Sequence, residues 1–213
     1  MFTNTEIEQQ VAEFLLQIKA IKLQPNNPFT WASGWKSPIY CDNRITLSHP
    51  TIRTYIRQQL VQVIQETFGP VGCIAGVATA GIPQGVLVAQ DLGLPFIYVR
   101  AKPKEHGTGN LIEGDVVTGK RVVVIEDLIS TGKSSLQAVD ALRDADYDVA
   151  GLAAIFSYGF DVAADNFKQA NCPFVTLSNY NALIKYAGEN QYISTGDVEV
   201  LKQWRENPAE WGQ

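Results

Sequence analysis

The chain has 213 residues, of which 46% are hydrophobic and 18% charged, and a formal net charge of −5. A chain of this length buries a sizeable core within about one domain, and an aromatic content of 10% argues against disorder. Because nucleic-acid-binding proteins usually carry excess positive charge, we expect no nucleic-acid partner, and any recognition of phosphate must come from a local group of cations.

The cysteines and the hydropathy of the chain favour the reducing cytoplasm. Cys41, Cys73 and Cys172 are odd in number and widely spaced, which argues against a disulfide framework. The N-terminus has no apolar segment of signal-peptide length, and no run approaches the roughly 18 apolar residues of a membrane-spanning helix. We therefore expect a cytoplasmic protein without a membrane partner.

Two helices separated by an irregular segment are predicted for the N-terminal part. Apolar residues recur at helical spacing over residues 5–21, where Thr5 and Glu8 fit a capping box, and again over residues 51–67. Prolines and a glycine interrupt short aromatic runs over residues 24–50. We predict short strands and loops there, separate from the main sheet.

From residue 71 onward, near-continuous apolar runs alternate with helical stretches. Such runs indicate strands buried on both faces, and the alternation is typical of a parallel sheet flanked by helices. The predicted strands cover residues 71–78, 95–100, 121–126, 149–157 and 173–177. The predicted helices cover residues 81–92, 133–145, 160–170 and, near the C-terminus, 196–206.

The interval between the second and third of these strands, residues 101–120, breaks the alternation. It contains Gly107, Gly109 and Gly114, which argue against a regular crossover helix. Loops of this length in compact domains are usually functional or disordered, so the interval is a candidate for function.

The strongest chemical motif follows the apolar strand that begins at residue 121. Glu126 and Asp127 come after four β-branched residues, and a turn rich in hydroxyls and glycine at residues 130–134 leads into a helix. Such a turn offers N–H groups and a helix N-terminus to a phosphate. The two carboxylates repel a phosphate and need hydroxyl groups or a cation as partners instead. A sugar phosphate satisfies both the turn and the carboxylates, because it carries a phosphate and free hydroxyls. The alternative is that the acids only cap the helix.

This segment resembles the phosphoribosyl diphosphate (PRPP) motif of the type I phosphoribosyltransferases. The resemblance implies that Glu126 and Asp127 hold the ribose hydroxyls and that the following turn binds the 5-phosphate. It also implies Mg²⁺ as the cofactor, bound mainly through PRPP and water, with Glu126 and Asp127 as its candidate protein ligands. The PRPP-binding residues implied within the motif are Glu126, Asp127, Leu128, Ile129, Ser130, Thr131, Gly132, Lys133 and Ser134.

A group of cations stands out on this acidic chain just after the second predicted core strand. Its members are Arg100, Lys102, Lys104 and His106. The pattern is similar to the catalytic loop of the orotate phosphoribosyltransferases. Arg100, Lys104 and His106 match the family's positions, whereas Lys102 is displaced by one. The resemblance implies that these four cations and Asp127 are catalytic, and that Arg100, Lys104 and His106 bind PRPP. A solvated loop is the alternative.

Two further segments resemble the same family and complete the predicted fold. Residues 29–40 resemble its N-terminal hood, and residues 76–83 resemble the segment whose turn binds diphosphate. The implied fold is the α/β type I phosphoribosyltransferase fold, a central parallel sheet flanked by helices with a small N-terminal hood. We expect one domain over residues 1–213, with the N-terminal helix and hood at about 1–50, the core at about 51–190 and a C-terminal helix and tail at 191–213.

The chain departs from the family pattern at three cationic positions. Ala32, Ala80 and Tyr158 stand where well-known members carry Lys, Lys and Arg. Lys36 and Arg44 flank the expected base pocket, so we expect them to supply replacement charge; a surface salt bridge is the alternative for Arg44. The expected orotate-binding residues are Ser130, Lys36, Tyr40 and Arg44.

The resemblance implies the transfer of phosphoribosyl from PRPP to orotate, giving orotidine 5′-monophosphate and diphosphate in de novo pyrimidine (UMP) biosynthesis. It also implies a homodimer whose active sites are shared between the subunits. Two alternatives remain open: a phosphoribosyltransferase for another base, purine or uracil, and a non-catalytic regulator that senses PRPP.

Overall fold

The computed structural model describes residues 4–31, 34–102 and 111–212. Its helices are α1 (Thr5–Gln17), α2 (Pro50–Phe68), α3 (Gly81–Leu92), α4 (Lys133–Asp144), α5 (Asp161–Gln169), α6 (Tyr180–Glu189) and α7 (Thr195–Glu206), with a 3₁₀ helix (Asn43–Ser48) before α2. Its strands are β1 (Ile21–Leu23), β2 (Phe29–Thr30), β3 (Lys36–Ser37), β4 (Ile39–Cys41), β5 (Cys73–Val77), β6 (Phe96–Val99), β7 (Ile112–Glu113), β8 (Arg121–Ile129), β9 (Asp148–Ser157) and β10 (Phe174–Asn179). Among the described helices, none combines the length and the apolar character that a membrane crossing requires.

The central sheet of the described chain has the strand order β10-β9-β8-β5-β6-β7. Neighbouring strands are parallel except for β6 and β7, which are antiparallel. Parallel neighbours require crossover connections, and helices provide most of them here. The predicted fold class, a mostly parallel sheet flanked by helices, is confirmed.

Alternate side chains of β8 point into two different hydrophobic cores. Val123 and Ile125 lie in the core formed with α1, α2 and α6, whereas Val122 and Val124 lie in the core formed with α4 and α5. Successive side chains of a strand point to opposite faces, so a strand covered on both faces has no polar positions along its middle. The apolar runs of the sequence were recognisable as strands for this reason.

The hood contains two small pairs of strands apart from the central sheet. β1 pairs with β4 and β2 pairs with β3, both in antiparallel fashion, and within the described chain neither pair joins the central sheet. The 3₁₀ helix then leads from β4 to α2. The prediction of short strands and loops over residues 24–50 is confirmed, although the first of these strands begins slightly earlier, in β1.

The first helix is shorter than predicted and is capped by a different residue. It ends at Gln17 rather than near residue 21, because Lys19 adopts a left-handed φ of 57° before the chain enters β1. Asn4 is the N-cap, and its side chain accepts hydrogen bonds from N–H groups of the first turn. The capping box predicted at Thr5 is therefore wrong.

β8 is longer than the predicted strand at residues 121–126. It continues to pair with β9 as far as Ile129, so Glu126 and Asp127 lie within the strand and not after its end. On its other side, β8 pairs with β5 only as far as Ile125. β8 therefore extends past the end of β5. The candidate site lies at this extension, where β8 has β9 as a neighbour but no longer pairs with β5.

Two elements, α6 and β7, have no counterpart among the predicted elements. α6 buries Leu183, Ile184 and Ala187 and starts directly at the end of β10, where Asn179 caps it. β7 is a two-residue strand paired with the edge of β6 inside the polar interval. The other predicted helices agree with the structure within one residue at each end, and the other predicted strands within two.

Candidate active site

The acid pair lies where β8 extends beyond β5. Glu126 is only 5% exposed and Asp127 is half-buried. The Glu126 carboxylate accepts one hydrogen bond from the Asp127 N–H at 3.0 Å and one from the Ser135 hydroxyl at 3.2 Å. These two donors fix the side chain of Glu126 beside the first turn of α4.

Burial raises the pKa of both carboxyl groups. The pKa of Glu126 lies well above its ordinary value, because the group is buried and because the negative charge of Asp127 is close. Burial also raises the pKa of Asp127, while hydrogen bonding from Glu126 and the positive charge of Arg44 oppose this effect. Ligand hydroxyls that donate to these carboxylates, or a bound cation, would relieve the unfavourable burial of their charge.

The turn after β8 forms an open cavity of about 300 Å³ at the N-terminus of α4. Gly132 is the N-cap residue with a φ of 78°, and a Cβ there would lie 2.7 Å from the Phe167 ring, so glycine is required. No described side chain caps α4, which leaves the helix N-terminus suited to an anion. The residues lining the cavity are Leu128, Ser130, Thr131, Gly132, Lys133, Ser134, Ser135 and Gln137.

One residue of the predicted PRPP set faces away from this cavity. The side chain of Ile129 is fully buried in the core, and its main-chain carbonyl accepts a hydrogen bond from the Tyr158 N–H at 3.1 Å. Leu128 is partly buried and lines the cavity, and Lys133 and Ser134 are exposed at its mouth. The side chain of Ile129 therefore packs in the core and is not among the residues that line the cavity.

The described part of the cationic segment lies between the turn after β5 and the cavity at the N-terminus of α4. Arg100, Ala78 and Ser134 line a common small cavity of about 30 Å³, so the structure brings Arg100 close to both turns. The Arg100 guanidinium is bonded to Glu113 at 3.2 Å, and Lys102 is exposed. The predicted residues Lys104 and His106 lie outside the described residues.

The turn between β5 and α3 packs closely against β8. Gly81 begins α3, and a Cβ at this position would overlap the main-chain carbonyl of Ile125. Ala80 is the N-cap residue of α3 and provides no side-chain hydrogen bond. The close packing lets the turn lie beside the acid pair.

The hood residues predicted to bind the base differ in their surroundings. Tyr40 is 40% exposed, and the Lys36 ammonium donates to the Thr30 hydroxyl at 2.9 Å. The Arg44 guanidinium forms two hydrogen bonds with Asp42, at 2.6 and 2.9 Å. Arg44 takes part in the surface salt bridge that was its alternative role.

Arg44 is nevertheless close to the acid pair. Its charge opposes the raised pKa of Asp127, and the negative charge of Asp127 in turn adds to the increase that Asp42 causes in the pKa of Arg44. The structure thus places Arg44 close enough to Asp127 for the two charges to interact. Ala32 and Ser33 lie outside the described residues.

Tyr158 does not replace the missing cation. It is buried with its ring packed against Trp31, Phe160 and Trp204 at centroid distances of 5.2, 5.5 and 5.9 Å. Burial raises the pKa of the phenol well above its ordinary value, so it stays neutral. The Tyr158 ring therefore fills space under the hood. Among the described hood residues, Arg44 is the cation whose positive charge acts on the pKa of Asp127.

Sequence reasoning missed a buried amide that holds Asp127. The Asn43 side chain donates to the main-chain carbonyl of Asp127 at 2.7 Å, beyond the point where β5 stops pairing with β8. Because buried carbonyls need a partner, Asn43 supplies the hydrogen bond that a neighbouring strand supplies elsewhere. The run from Cys41 to Arg44 contains this residue, but nothing in its pattern marks it as a partner of β8.

The acid pair fits a Mg²⁺ ion that a substrate helps to hold. No group of three or more His, Cys, Asp or Glu side chains among the described residues could form a metal site. Mg²⁺ usually keeps several waters and binds through one or two carboxylates together with substrate phosphates. Glu126 and Asp127 provide that number of carboxylates next to the open cavity at the N-terminus of α4.

Comparison with known sequences decides the family. A profile of the family described as phosphoribosyl transferase domain matches residues 46–187. The orotate phosphoribosyltransferase of Phocaeicola vulgatus is 57% identical over 205 residues, which cover 96% of this chain and 97% of that protein. The chain belongs to the orotate phosphoribosyltransferase family. The orotate phosphoribosyltransferase of Listeria innocua is 55% identical over 97% of this chain and 99% of that protein.

Solved structures share the fold of this family member. The orotate phosphoribosyltransferase of Aeropyrum pernix matches with a TM-score of 0.74 and 26% identity, covering 86% of this chain and 99% of that chain. The UMP synthase of Leishmania donovani matches with a TM-score of 0.79 and 24% identity, covering 93% of this chain and 42% of that chain. An adenine phosphoribosyl transferase of Trypanosoma brucei also matches, with a TM-score of 0.63, 20% identity and coverage of 83% and 81%. The fold alone therefore does not select the base.

Proposed function

We propose that this member of the family transfers phosphoribosyl from PRPP to orotate in pyrimidine biosynthesis. The bond between the sugar C1 and the orotate N1 forms, and the bond between C1 and diphosphate breaks with its electron pair leaving on the diphosphate. The orotate N1 proton is released. The observation that carries the proposal is the pair of buried Glu126 and half-buried Asp127 beside the cavity at residues 130–135, with the charge of Arg44 of the hood acting on Asp127.

The acid pair and the turn bind the sugar phosphate. Glu126 and Asp127 accept hydrogen bonds from the ribose hydroxyls, and their negative charge favours the positive charge that develops on the sugar. The N–H groups at the start of α4 and the hydroxyls of Ser130, Thr131 and Ser134 bind the 5-phosphate. When bound, Mg²⁺ supplies positive charge against the diphosphate oxygens, and Glu126 and Asp127 are the residues that would hold it together with PRPP and water.

The cationic segment stabilises the leaving diphosphate. Arg100, Lys102, Lys104 and His106 place positive charge where negative charge increases as the bond breaks, which is the charge complementarity that lowers a transition state. A histidine side chain can exchange a proton near neutral pH, so His106 is also proposed as the acid that protonates diphosphate. The support for these roles is the match of Arg100, Lys104 and His106 to the family motif and the position of Arg100 beside Ser134.

The hood binds the base. Orotate carries a carboxylate, and a guanidinium can bind a carboxylate through two parallel hydrogen bonds. Arg44 is proposed for this role, with Tyr40 against the face of the base and Lys36 and Ser130 completing the site. The interaction of Arg44 with Asp127 is the observation that supports it.

The proposal extends to the assembly and location of the protein. It forms a homodimer in which the segment with Lys104 reaches the partner subunit's site, a property taken from the resemblance of that segment to the family's loop. It works as one domain in the cytoplasm, in keeping with the three free cysteines.

A spectroscopic assay tests the proposed reaction. Orotate loses ultraviolet absorbance on conversion to its nucleotide, so purified protein with orotate, PRPP and Mg²⁺ is expected to give a decrease that stops when PRPP is omitted or a chelator is added. The Asp127→Asn variant is the control for a contaminating activity and is expected to be inactive. Binding of PRPP without any turnover would instead favour a regulator and overturn the proposal.

A further inference from the structure

The hood and the C-terminal helix contact each other across the whole length of the sequence. Both lie outside residues 46–187, the part that matches the family profile. All four tryptophans of the chain lie in the hood, in α7 or in the tail after α7: Trp31, Trp35, Trp204 and Trp211. The contact therefore joins two segments that flank the part of the chain matched by the general family profile.

Trp204 is the centre of this contact. Its side chain is fully buried, and its indole N–H donates to the main-chain carbonyl of Lys36 at 3.2 Å. Its ring lies edge-on to Trp31, with a centroid distance of 5.6 Å. Trp204 thus contacts both strands of the β2–β3 pair. It bonds directly to the main chain of β3, and it packs against Trp31, the residue that follows β2.

Two further contacts join the same segments on either side of Trp204. The Asn26 side chain donates to Asp197 at 3.3 Å, and a Cβ at Gly212 would lie 3.3 Å from the Cβ of Lys36. The start of α7 and the tail after it therefore both touch the hood. Three separate contacts, together termed the brace, therefore hold the hood against α7 and the tail after it.

The β2–β3 pair depends on this brace more than β4 does. β4 pairs with β1 over three residues, whereas β2 and β3 pair with each other over only two. The Trp31 indole N–H then donates to the carbonyl of Ile39 at 3.1 Å, directly before Tyr40. A path of contacts leads from Trp204 through Trp31 to the segment that carries Tyr40.

We propose that Trp204 is a positioning residue for the base: it holds the β2–β3 pair so that Lys36 and Tyr40 border the orotate pocket. The inference rests on the proposed function, because it assigns the effect to orotate and not to PRPP. The cavity proposed for PRPP lies at the turn between β8 and α4. Among the described residues, the hydrogen bond and ring contacts of Trp204 reach none of the residues that line it.

The test compares two conservative variants, each of which removes one hydrogen bond made by α7. Trp204→Phe keeps an aromatic ring and removes the hydrogen bond to the hood. Tyr180→Phe removes a buried hydrogen bond of similar length, 2.9 Å, from the Tyr180 hydroxyl to the carbonyl of Leu201 in α7, and this bond does not reach the hood. Each variant loses one hydrogen bond of α7, but only Trp204→Phe loses a bond to the hood. A comparison of the two variants therefore separates the positioning of the hood from the packing stability of α7.

The expected result is a split between the two substrates. Trp204→Phe raises the KM for orotate about fivefold, the effect of one hydrogen bond, while the KM for PRPP changes less than about twofold. Tyr180→Phe changes neither KM by more than about twofold. If Trp204→Phe folds poorly, 3-benzothienylalanine at position 204 preserves the ring shape without the N–H group and is expected to give the same split.

Equal effects of the two variants on both KM values would show a purely structural role and overturn the inference. An unchanged KM for orotate in the benzothienylalanine variant would do the same. Failure of the proposed function is a separate result, because the wild-type protein would then not convert orotate at all.

Discussion

Glu126 is a carboxylate that the fold buries between two hydrogen-bond donors, with a second carboxylate next to it. Burial and the charge of Asp127 raise its pKa, so ionisation of this side chain is less favourable in the folded chain than in the unfolded one and lowers the stability of the fold. Proteins commonly accept such a loss of stability at sites that need the charge for function. The sequence analysis could predict the pair, because two acids after a buried strand are unusual, but it could not predict how deeply they are buried.

Replacement of Glu126 by Gln is expected to stabilise the unliganded protein and to abolish its activity. A carboxyl with a raised pKa binds its proton more tightly when folded, so its contribution to stability is lost as the pH rises from the ordinary value of 4.5 toward the raised one. Gln keeps both hydrogen bonds, since its oxygen accepts from the Asp127 N–H and its amide donates to the Ser135 oxygen. Thermal unfolding in chelator is expected to show a higher Tm at about pH 7 and no gain at about pH 4, with about 2–4 °C for each kcal/mol.

The exposed Glu189→Gln is the matched control for this pH effect, because its side chain is 58% exposed. It is expected to leave Tm and activity nearly unchanged at both pH values. A Glu126→Gln protein that is less stable than the wild type at neutral pH would contradict the burial argument.

Arg44→Ala is expected to raise the KM for orotate about tenfold and to leave the KM for PRPP within about twofold. The physical reason is the loss of a guanidinium that binds the carboxylate of the base. Arg121→Ala is the control, because Arg121 also forms an exposed ion pair with an aspartate, Asp148 at 3.0 Å, but at the opposite end of β8. Steady-state kinetics with each substrate varied in turn measure both values. An unchanged affinity for orotate would remove Arg44 from the site.

At the scale of elements, the sequence predicts the order of strands and helices well. It does not predict the contacts between residues that are far apart in the chain. The apolar runs and the turn at residues 130–134 are local patterns, and the structure contains both. The length of β8 is set by its pairing with β9, and the contacts of Asn43 with Asp127 and of Trp204 with Lys36 join positions 84 and 168 residues apart. Local periodicity carries no information on such pairs.

The cationic segment is the element whose role in catalysis is the most direct to measure. Lys104→Ala is expected to lower kcat by about 10²-fold, the usual effect of removing one preorganised group that faces developing charge. The exposed Lys168→Ala on α5 changes the net charge equally and is expected to have no effect. A loss of less than about threefold for Lys104→Ala would exclude it from the mechanism.

At the scale of the whole molecule, an acidic protein with a net charge of −5 binds a substrate that is itself strongly negative. In the proposed site, the cations that oppose this repulsion are those of residues 100–106 and of the hood, so the position of charge matters more than its total. A homodimer with shared sites would bring the segment of one subunit to the acid pair of the other. The sequence could suggest this assembly only through resemblance, because composition does not encode a subunit interface.

Mixing two inactive variants tests the shared site. Lys104→Ala and Asp127→Ala each damage a different part, so mixed dimers would contain one site with both parts intact. After subunit exchange in equal amounts, about a quarter of the wild-type activity is expected, since half of the dimers are mixed and each has one intact site. No recovery after verified exchange would indicate that each subunit completes its own site.

The central claim is that the hood and the acid pair together form a site for orotate. The most direct measurement is kcat/KM with PRPP and Mg²⁺ for orotate, uracil, adenine and hypoxanthine, each offered separately to the wild-type protein. We predict that orotate is preferred by about 10²-fold or more, because its carboxylate gains charged hydrogen bonds that the other bases cannot form. Preference for any of the other three bases would contradict the account of the hood while leaving the PRPP site in place.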